Sequence, residues 1–273
     1  MENNTNPPVG KSQREELTTD QQIRRRTIKA FALFSVASLV PYGIWKWIGS
    51  RPKVNGLPDV FREVLRANEE VNDVFFSHAN LAPTFPVEQA ARQVRVNGRV
   101  GLQPGASPDD WQLRVEQPSA NGPGRQLTLA LDDIKALPKH DLVFNFKCVE
   151  GWSQIQHWSG ARFSDFVAKY QLGTRNDQPN PVTKDWFRYV GLETPDGKYY
   201  VGLDIESALH PQTLLAYEMN GQPLTDLHGA PLRLMIPVKY GVKSLKCIGR
   251  IFFADERPRD FWHRQGYDYD LAL

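Results

Sequence analysis

The chain has 273 residues, 41% of them hydrophobic and 23% charged, enough to bury a core in one large or two modest domains, which excludes a fibre and a wholly disordered tail. Lys and Arg number 33 against 31 Asp and Glu, a net charge of +2, which excludes a surface built to neutralise nucleic-acid phosphates. Two cysteines, Cys148 and Cys247, offer neither a disulfide framework nor zinc-ligand spacing, so any soft-metal chemistry rests on one thiolate.

Residues 1–22 are polar and lack apolar periodicity, so disorder is expected there. Arg24-Arg25-Arg26 and Lys29 follow, and residues 30–45 then carry no charge. Carrying the run past Lys46, whose ammonium can snorkel, predicts a transmembrane helix over residues 30–48, about 28 Å long. The alternative is a buried amphipathic helix, but the apolar residues go all the way round rather than forming one stripe, which favours the membrane span. Arg25-Arg26-Thr27-Ile28-Lys29 resembles a twin-arginine export signal, with the usual aromatic and leucine replaced. Small-x-small pairs occur only inside the apolar run, so an uncleaved single-pass anchor in the inner membrane is expected. The basic tail, residues 1–29, then stays cytoplasmic and the domain lies on the periplasmic side. Residues 49–71 read as a linker holding one short helix, 58–68.

Beyond it, short alternating segments dominate. Residues 94–100 predict a strand with a turn, and 111–115 and 126–131 two more. Residues 131–137 predict a short helix with Asp132 as N-cap, stopped by Pro138. From residue 141 to 147, Leu142, Phe144 and Phe146 alternate with Val143, Asn145 and Lys147. The same parity points Cys148 inward at the end of that strand. A helix over 163–170, strands over 186–193 and 199–204, and a helix over 205–209 follow. A strand over 213–219 enters a tight turn at Asn220-Gly221. Strands over 232–236 and 242–253 complete one α+β domain, residues 72–273, of mixed, largely antiparallel sheets with short helices.

Two blocks could carry chemistry. Cys148 ends a strand and precedes Val149-Glu150-Gly151-Trp152-Ser153, where the glycine permits a sharp turn. Such a thiol is either a small core hydrophobe, a metal ligand, or a nucleophile paired with His157. Cys247, placed mid-strand, reads as structural. The second block joins His228-Gly229-Ala230-Pro231-Leu232-Arg233 to a glycine-punctuated basic stretch, residues 239–246. Arg, Lys and a hydroxyl in such a loop suit a phosphate, or else mark an exposed basic strand end. Walker and Rossmann glycine patterns are missing, which argues against the usual nucleotides.

Together the blocks, with the segments around Thr194 and His210, resemble the molybdopterin-binding domain of the sulfite-oxidase family, and within it the bacterial branch that contains the catalytic subunit of a periplasmic methionine-sulfoxide reductase. The resemblance implies a molybdenum-molybdopterin cofactor (Mo-MPT) with Cys148 as the one protein ligand of the metal. It implies that Thr194, His228, Arg233, Ser244 and Lys246 hold the pterin and its phosphate. Phe75-Phe76-Ser77-His78-Ala79-Asn80 resembles the family's early cofactor loop, adding Ser77, His78 and Asn80, although His78 and Asn80 replace an Arg and a His usual in sulfite oxidases.

Two departures shape the functional expectation. Sulfite oxidases place an arginine soon after the cysteine, whereas here Glu150 would repel sulfite and could relay a proton. The chain also stops soon after Asp268, leaving no room for the dimerisation domain of eukaryotic sulfite oxidases, so a monomeric catalytic domain is expected. No haem motif is present, so electrons would pass through a membrane cytochrome or quinol-linked subunit. The expected activity is reduction of an S-oxide or N-oxide. Alternatives are a sulfite-oxidising dehydrogenase and, in another class, a cofactor-free thiol hydrolase or an anchored binding domain.

Overall fold

The computed structural model describes residues 19–54, 56–75, 80–102, 110–119, 122–175 and 185–273. The chain divides into two compact units, one of residues 1–53 with 58–60 and one of residues 54–57 with 61–273. The first is dominated by helix α1, Thr19–Ser50, with Pro41 inside it. Within α1, Arg24–Ser50 is long and apolar enough to cross a membrane, and none of its described side chains is buried. Such a helix fits a signal sequence or an anchor. It starts earlier than expected, at Thr19, so the arginine triplet and Lys29 form helical turns rather than part of an unstructured tail. Residues 1–18 lie outside the described residues.

Two short strands, β1 (Lys53–Val54) and β2 (Leu57–Pro58), form a ribbon, and α2, Asp59–Phe75, follows at once. This helix runs seven residues beyond the expected end at residue 68. Its apolar positions continue through Val71, Val74 and Phe75 without a glycine or proline to stop it.

The large unit is built on two five-stranded sheets. One contains β5 (Lys139–Lys147), β6 (Ser153–Arg162), β9 (Leu214–Met219), β10 (Gln222–Pro223) and β11 (Arg233–Met235). In it β6 pairs with both β5 and β9, and β9 also pairs with β10 and β11, all antiparallel. The other sheet runs β4 (Gly122–Leu129), β3 (Leu113–Ser119), β12 (Arg250–Ala254), β7 (Tyr189–Glu193) and β8 (Tyr200–Asp204). Only its β3 and β12 pair in parallel. Short helices α3 (Leu131–Lys135), α4 (Phe163–Tyr170), α5 (Ile205–Ala208) and α6 (Phe261–Arg264) complete the unit.

The main core gathers Leu113, Val115, Val190, Leu192, Ile251 and Phe253 from one sheet with Ala161, Leu215, Tyr217 and Leu234 from the other, closed by Phe163, Phe166 and Val167 of α4. The β5–β6–β9 sheet is buried on its second face as well, where Leu142, Phe144, Phe146, Trp158, Leu214 and Ala216 form a separate cluster. Burial on both faces explains why β9 reads Leu-Leu-Ala-Tyr rather than alternating. At Gly160 the β6–β9 register shifts, and a Cβ there would stand 2.1 Å from the Leu215 carbonyl oxygen.

Three expectations about local structure fail. Residues 94–100 are not a strand. Their backbone groups bond to side chains: Val94 O accepts from His228, Arg95 N donates to Gln154, and the carbonyls of Asn97 and Gly98 accept from Lys246. Residues 242–249 are also not a strand, because a single 3-10 turn, Gly241–Lys243, and Cys247 at φ +52° bend the chain, leaving only β12 extended. Cys247 is buried, as a structural cysteine should be, but in a loop. The N-cap of α3 is Ala130 rather than Asp132, with the Asp133 carboxylate accepting the Ala130 N–H at 2.8 Å.

Candidate active site

Strand β5 carries Leu142, Phe144 and Phe146 on the face of the second cluster, and the two-residue period extends that face to Cys148, which is 4% exposed. The chain then reverses. Cys148 N–H donates to Trp152 O (2.9 Å) and Gly151 N–H to Cys148 O (3.0 Å), with Gly151 at φ +85°, a conformation that disfavours a Cβ. Asn97 Nδ2 donates to the Cys148 Sγ at 3.3 Å. Burial pushes the thiol above its usual value; the backbone N–H of Glu150 and the charge of Arg95 act the other way, while the Glu150 carboxylate adds to the rise.

Cys148 opens into a cavity of about 370 Å³. Phe146, Gln156 and Trp158 line it from the β5–β6 hairpin, and residues 94–100, Cys148 to Trp152, and 241–246 supply further walls. Tyr199, Phe261, Trp262 and Tyr267 add an aromatic side, in which Trp262 Nε1 donates to Tyr199 OH (2.9 Å) and Tyr199 OH to Val242 O (2.8 Å). Gln156 is held from both directions: its Nε2 donates to Gln154 Oε1 and its Oε1 accepts from Trp158 Nε1, both at 3.1 Å.

The cavity has a cationic region. Arg233, on β11 and 4% exposed, donates from Nη1 to His228 O (2.9 Å) and from Nη2 to Ser244 O (3.3 Å), and lies 4.4 Å over the Trp158 ring. Its Nε is buried without a partner, and an unmet buried donor costs about 1–3 kcal/mol. Burial lowers the guanidinium pKa to about 9. The Lys246 ammonium donates to the carbonyls of Asn97 (2.6 Å), Leu227 (2.8 Å) and Gly98 (3.0 Å). Burial, then Arg233 and Arg99, push its pKa down to about 7. Arg233 and Lys246 thus repel one another, with no carboxylate contributing to either shift. A bound phosphate would supply an acceptor for Arg233 Nε and the missing negative charge.

The structure therefore brings Cys148, Glu150, Arg233, Ser244 and Lys246 to one cavity. Ser77 and His78 lie outside the described residues. Asn80, Thr194 and His228 do not line the cavity. The Asn80 carbonyl is used by His210 Nε2 at 3.1 Å. Thr194 Oγ1 donates to Asp196 Oδ1 (2.7 Å) and accepts from Tyr199 N–H (3.1 Å), closing the β7–β8 turn. His228 accepts from Thr225 Oγ1 at Nδ1 (2.7 Å) and donates from Nε2 to Val94 O (3.1 Å), so both ring nitrogens hold protein. His157, the conceivable partner of a thiol nucleophile, bonds instead to Asp141 Oδ1 at 3.0 Å and does not line the cavity. Sequence reasoning missed Arg95, Asn97, Trp152 and the aromatic side. The Val-Asn-Gly-Arg spacing that signals a strand conceals a loop held by distant side chains.

Residues 100–262 match the family described as oxidoreductase molybdopterin binding domain. The chain belongs to that family. Family membership makes it a molybdopterin oxidoreductase domain and implies a Mo-molybdopterin cofactor. The cavity fits such a group: a buried thiol for the metal, Arg233 Nε and Lys246 for the phosphate. Among its relatives is the putative protein-methionine-sulfoxide reductase subunit YedZ1 of Azospira oryzae, 33% identical over 75% of this chain and 72% of its own. The protein-methionine-sulfoxide reductase catalytic subunit MsrP of Xanthomonas campestris is 34% identical over 56% of this chain and 48% of its own, so this molybdopterin domain matches about half of that relative's length. A solved structure, the sulfane dehydrogenase SoxCD of Paracoccus pantotrophus, matches 66% of this chain and 46% of its own at 16% identity and a TM-score of 0.46.

Proposed function

We propose that this protein is a membrane-anchored molybdenum oxidoreductase that reduces an S-oxide, with oxidised methionine residues as the substrate class. The observation that carries the reading is a single buried thiol, Cys148, sharing a cavity with the uncompensated cations Arg233 and Lys246 in a chain of this family. The names of the sulfoxide-reductase relatives support the substrate class.

Cys148 would hold the metal and Arg233, Ser244 and Lys246 the pterin phosphate. When bound, the group supplies two-electron oxygen-atom transfer. Reduction of R₂S=O consumes two electrons and two protons and releases R₂S and water. Glu150, exposed at the cavity and hydrogen-bonded through Oε2 to Trp152 Nε1 at 3.1 Å, holds and passes a proton there. Electrons come from a membrane cytochrome or quinol-linked subunit, and α1 keeps the domain beside it on the exported side.

The test is protein purified from cells able to make molybdopterin. Metal analysis should find molybdenum, and a reduced viologen dye should be oxidised on adding methionine sulfoxide. Molybdenum-loaded protein that oxidises sulfite but leaves methionine sulfoxide untouched would establish the dehydrogenase instead. Metal-free active protein would return the thiol-hydrolase reading.

A further inference from the structure

Arg95 lines the cavity with Cys148, yet its guanidinium has no carboxylate partner among the described ion pairs. It stacks 4.5 Å over the Trp152 ring. That indole is fixed independently: its ring stacks on Phe146 at 5.8 Å, and its Nε1 donates to Glu150 Oε2 at 3.1 Å. One side chain therefore carries a cation over its face and an anion at its edge.

The backbone bearing Arg95 is also held in advance. Arg95 N–H donates to Gln154 Oε1 (3.0 Å), the preceding carbonyl accepts from His228, and the Asn97 side chain donates to the Cys148 sulfur (3.3 Å). Little loop entropy remains to be lost when a ligand meets the guanidinium.

We infer that Arg95 is a specificity-determining residue of the proposed reaction, its guanidinium donating to the oxygen of a neutral S-oxide. This rests on the S-oxide reading above and narrows it. A sulfoxide oxygen is a strong acceptor at the negative end of a large dipole, and a guanidinium supplies donors in a fixed fork. Arg95 and Glu150 together bring no net charge to this side of the cavity, so a neutral dipole is favoured over an anion such as sulfite, which Glu150 repels. The substrate's carbons have apolar partners in Val100, Val242, Phe261 and Trp262.

The experiment uses the cofactor-loaded, full-length enzyme and its Arg95→Ala and Arg95→Lys variants. It measures kcat and KM for a peptide containing methionine sulfoxide, and by calorimetry the Kd of the matching methionine-sulfone peptide, which presents S–O oxygens but is not reduced. Arg95→Ala should raise KM and the sulfone Kd about ten-fold, equivalent to about 1.4 kcal/mol, with molybdenum content and kcat near the parent's. Arg95→Lys should recover part of the loss, and Glu150→Gln should strengthen inhibition by sulfite. If the parent reduces the sulfoxide and Arg95→Ala binds and turns over equally well, the assignment of Arg95 falls while the functional reading stands. A loaded parent that reduces no S-oxide overturns that reading and this inference with it.

Discussion

On the proposed reading Cys148 would hold the metal and Arg233 the pterin phosphate, so their substitutions should fail differently. Cys148→Ser should abolish activity with thermal stability near the parent's, because a serine oxygen is too hard and too weakly acidic to replace a thiolate on a soft metal site. Cys247→Ser should keep its molybdenum. Spectra of the metal centre separate the two, and a Cys148→Ser spectrum equal to the parent's would reject the ligand assignment. Arg233→Ala should lower cofactor occupancy more than Cys148→Ala does, since it would remove the proposed charge-assisted contact to the phosphate. Cofactor release from both variants measures this, and a fully loaded Arg233→Ala protein contradicts it. Lys246 gives a pH signature. Its folded pKa of about 7 lies below the usual 10.5, so between those values the unfolded chain binds more protons and stability rises with pH. Below about 7 the penalty is fully present. Empty protein should therefore gain stability from about pH 7 upward, Lys246→Met should flatten that gain, and a bound phosphate should reduce it. Denaturation curves of the three forms across that window decide the matter.

Among the elements, those whose side chains face a core on a regular period were legible in the sequence. Helix α4 falls on its expected residues 163–170 and the parity of β5 places Cys148 correctly. Two other stretches that line the cavity, β6 and residues 94–100, were not. Strand β6 passed unrecognised because polar Gln154 and Gln156 share a face with Trp158 and its register shifts at Gly160, so neither hydrophobic alternation nor a clean period survives. Residues 94–100 show the reverse error: an alternating pattern without a neighbouring strand to pair with. Of the expected site, Arg233, Ser244 and Lys246 line the cavity and were legible as a basic, glycine-punctuated stretch, whereas His228 and Thr194 bond to neighbouring protein groups outside its lining. Gly160→Ala tests the tightest element contact. The added Cβ meets backbone on β9 at Leu215 O and at Ala216 Cα (2.6 Å), atoms that cannot swing aside. The variant should lose soluble expression or several kcal/mol, well above the ~1–3 kcal/mol usual for overpacking, read by denaturant titration. Parent-like stability would show that the two strands can part there freely.

At the scale of the whole molecule, α1 and the sheet-built unit make separable predictions. Deleting residues 1–50 should leave a soluble domain that keeps its cofactor, because every described cavity residue lies beyond residue 90. The same deletion should slow electron exchange with membranes, since the proposed anchor would set the effective concentration of a membrane partner. Protease added to intact spheroplasts should digest the domain, and protection until lysis would place it in the cytoplasm. The cavity's walls come from Val94, the Cys148 turn, Tyr199, β11 with the loop after it, and α6 out to Tyr267. A growing chain thus presents its thiol long before Arg233 and Lys246 exist, and a product truncated between them has half a binding site. On the proposed reading, retention of the cofactor would require a chain translated past Lys246, so occupancy would report that both halves of the cavity had been made and had folded together.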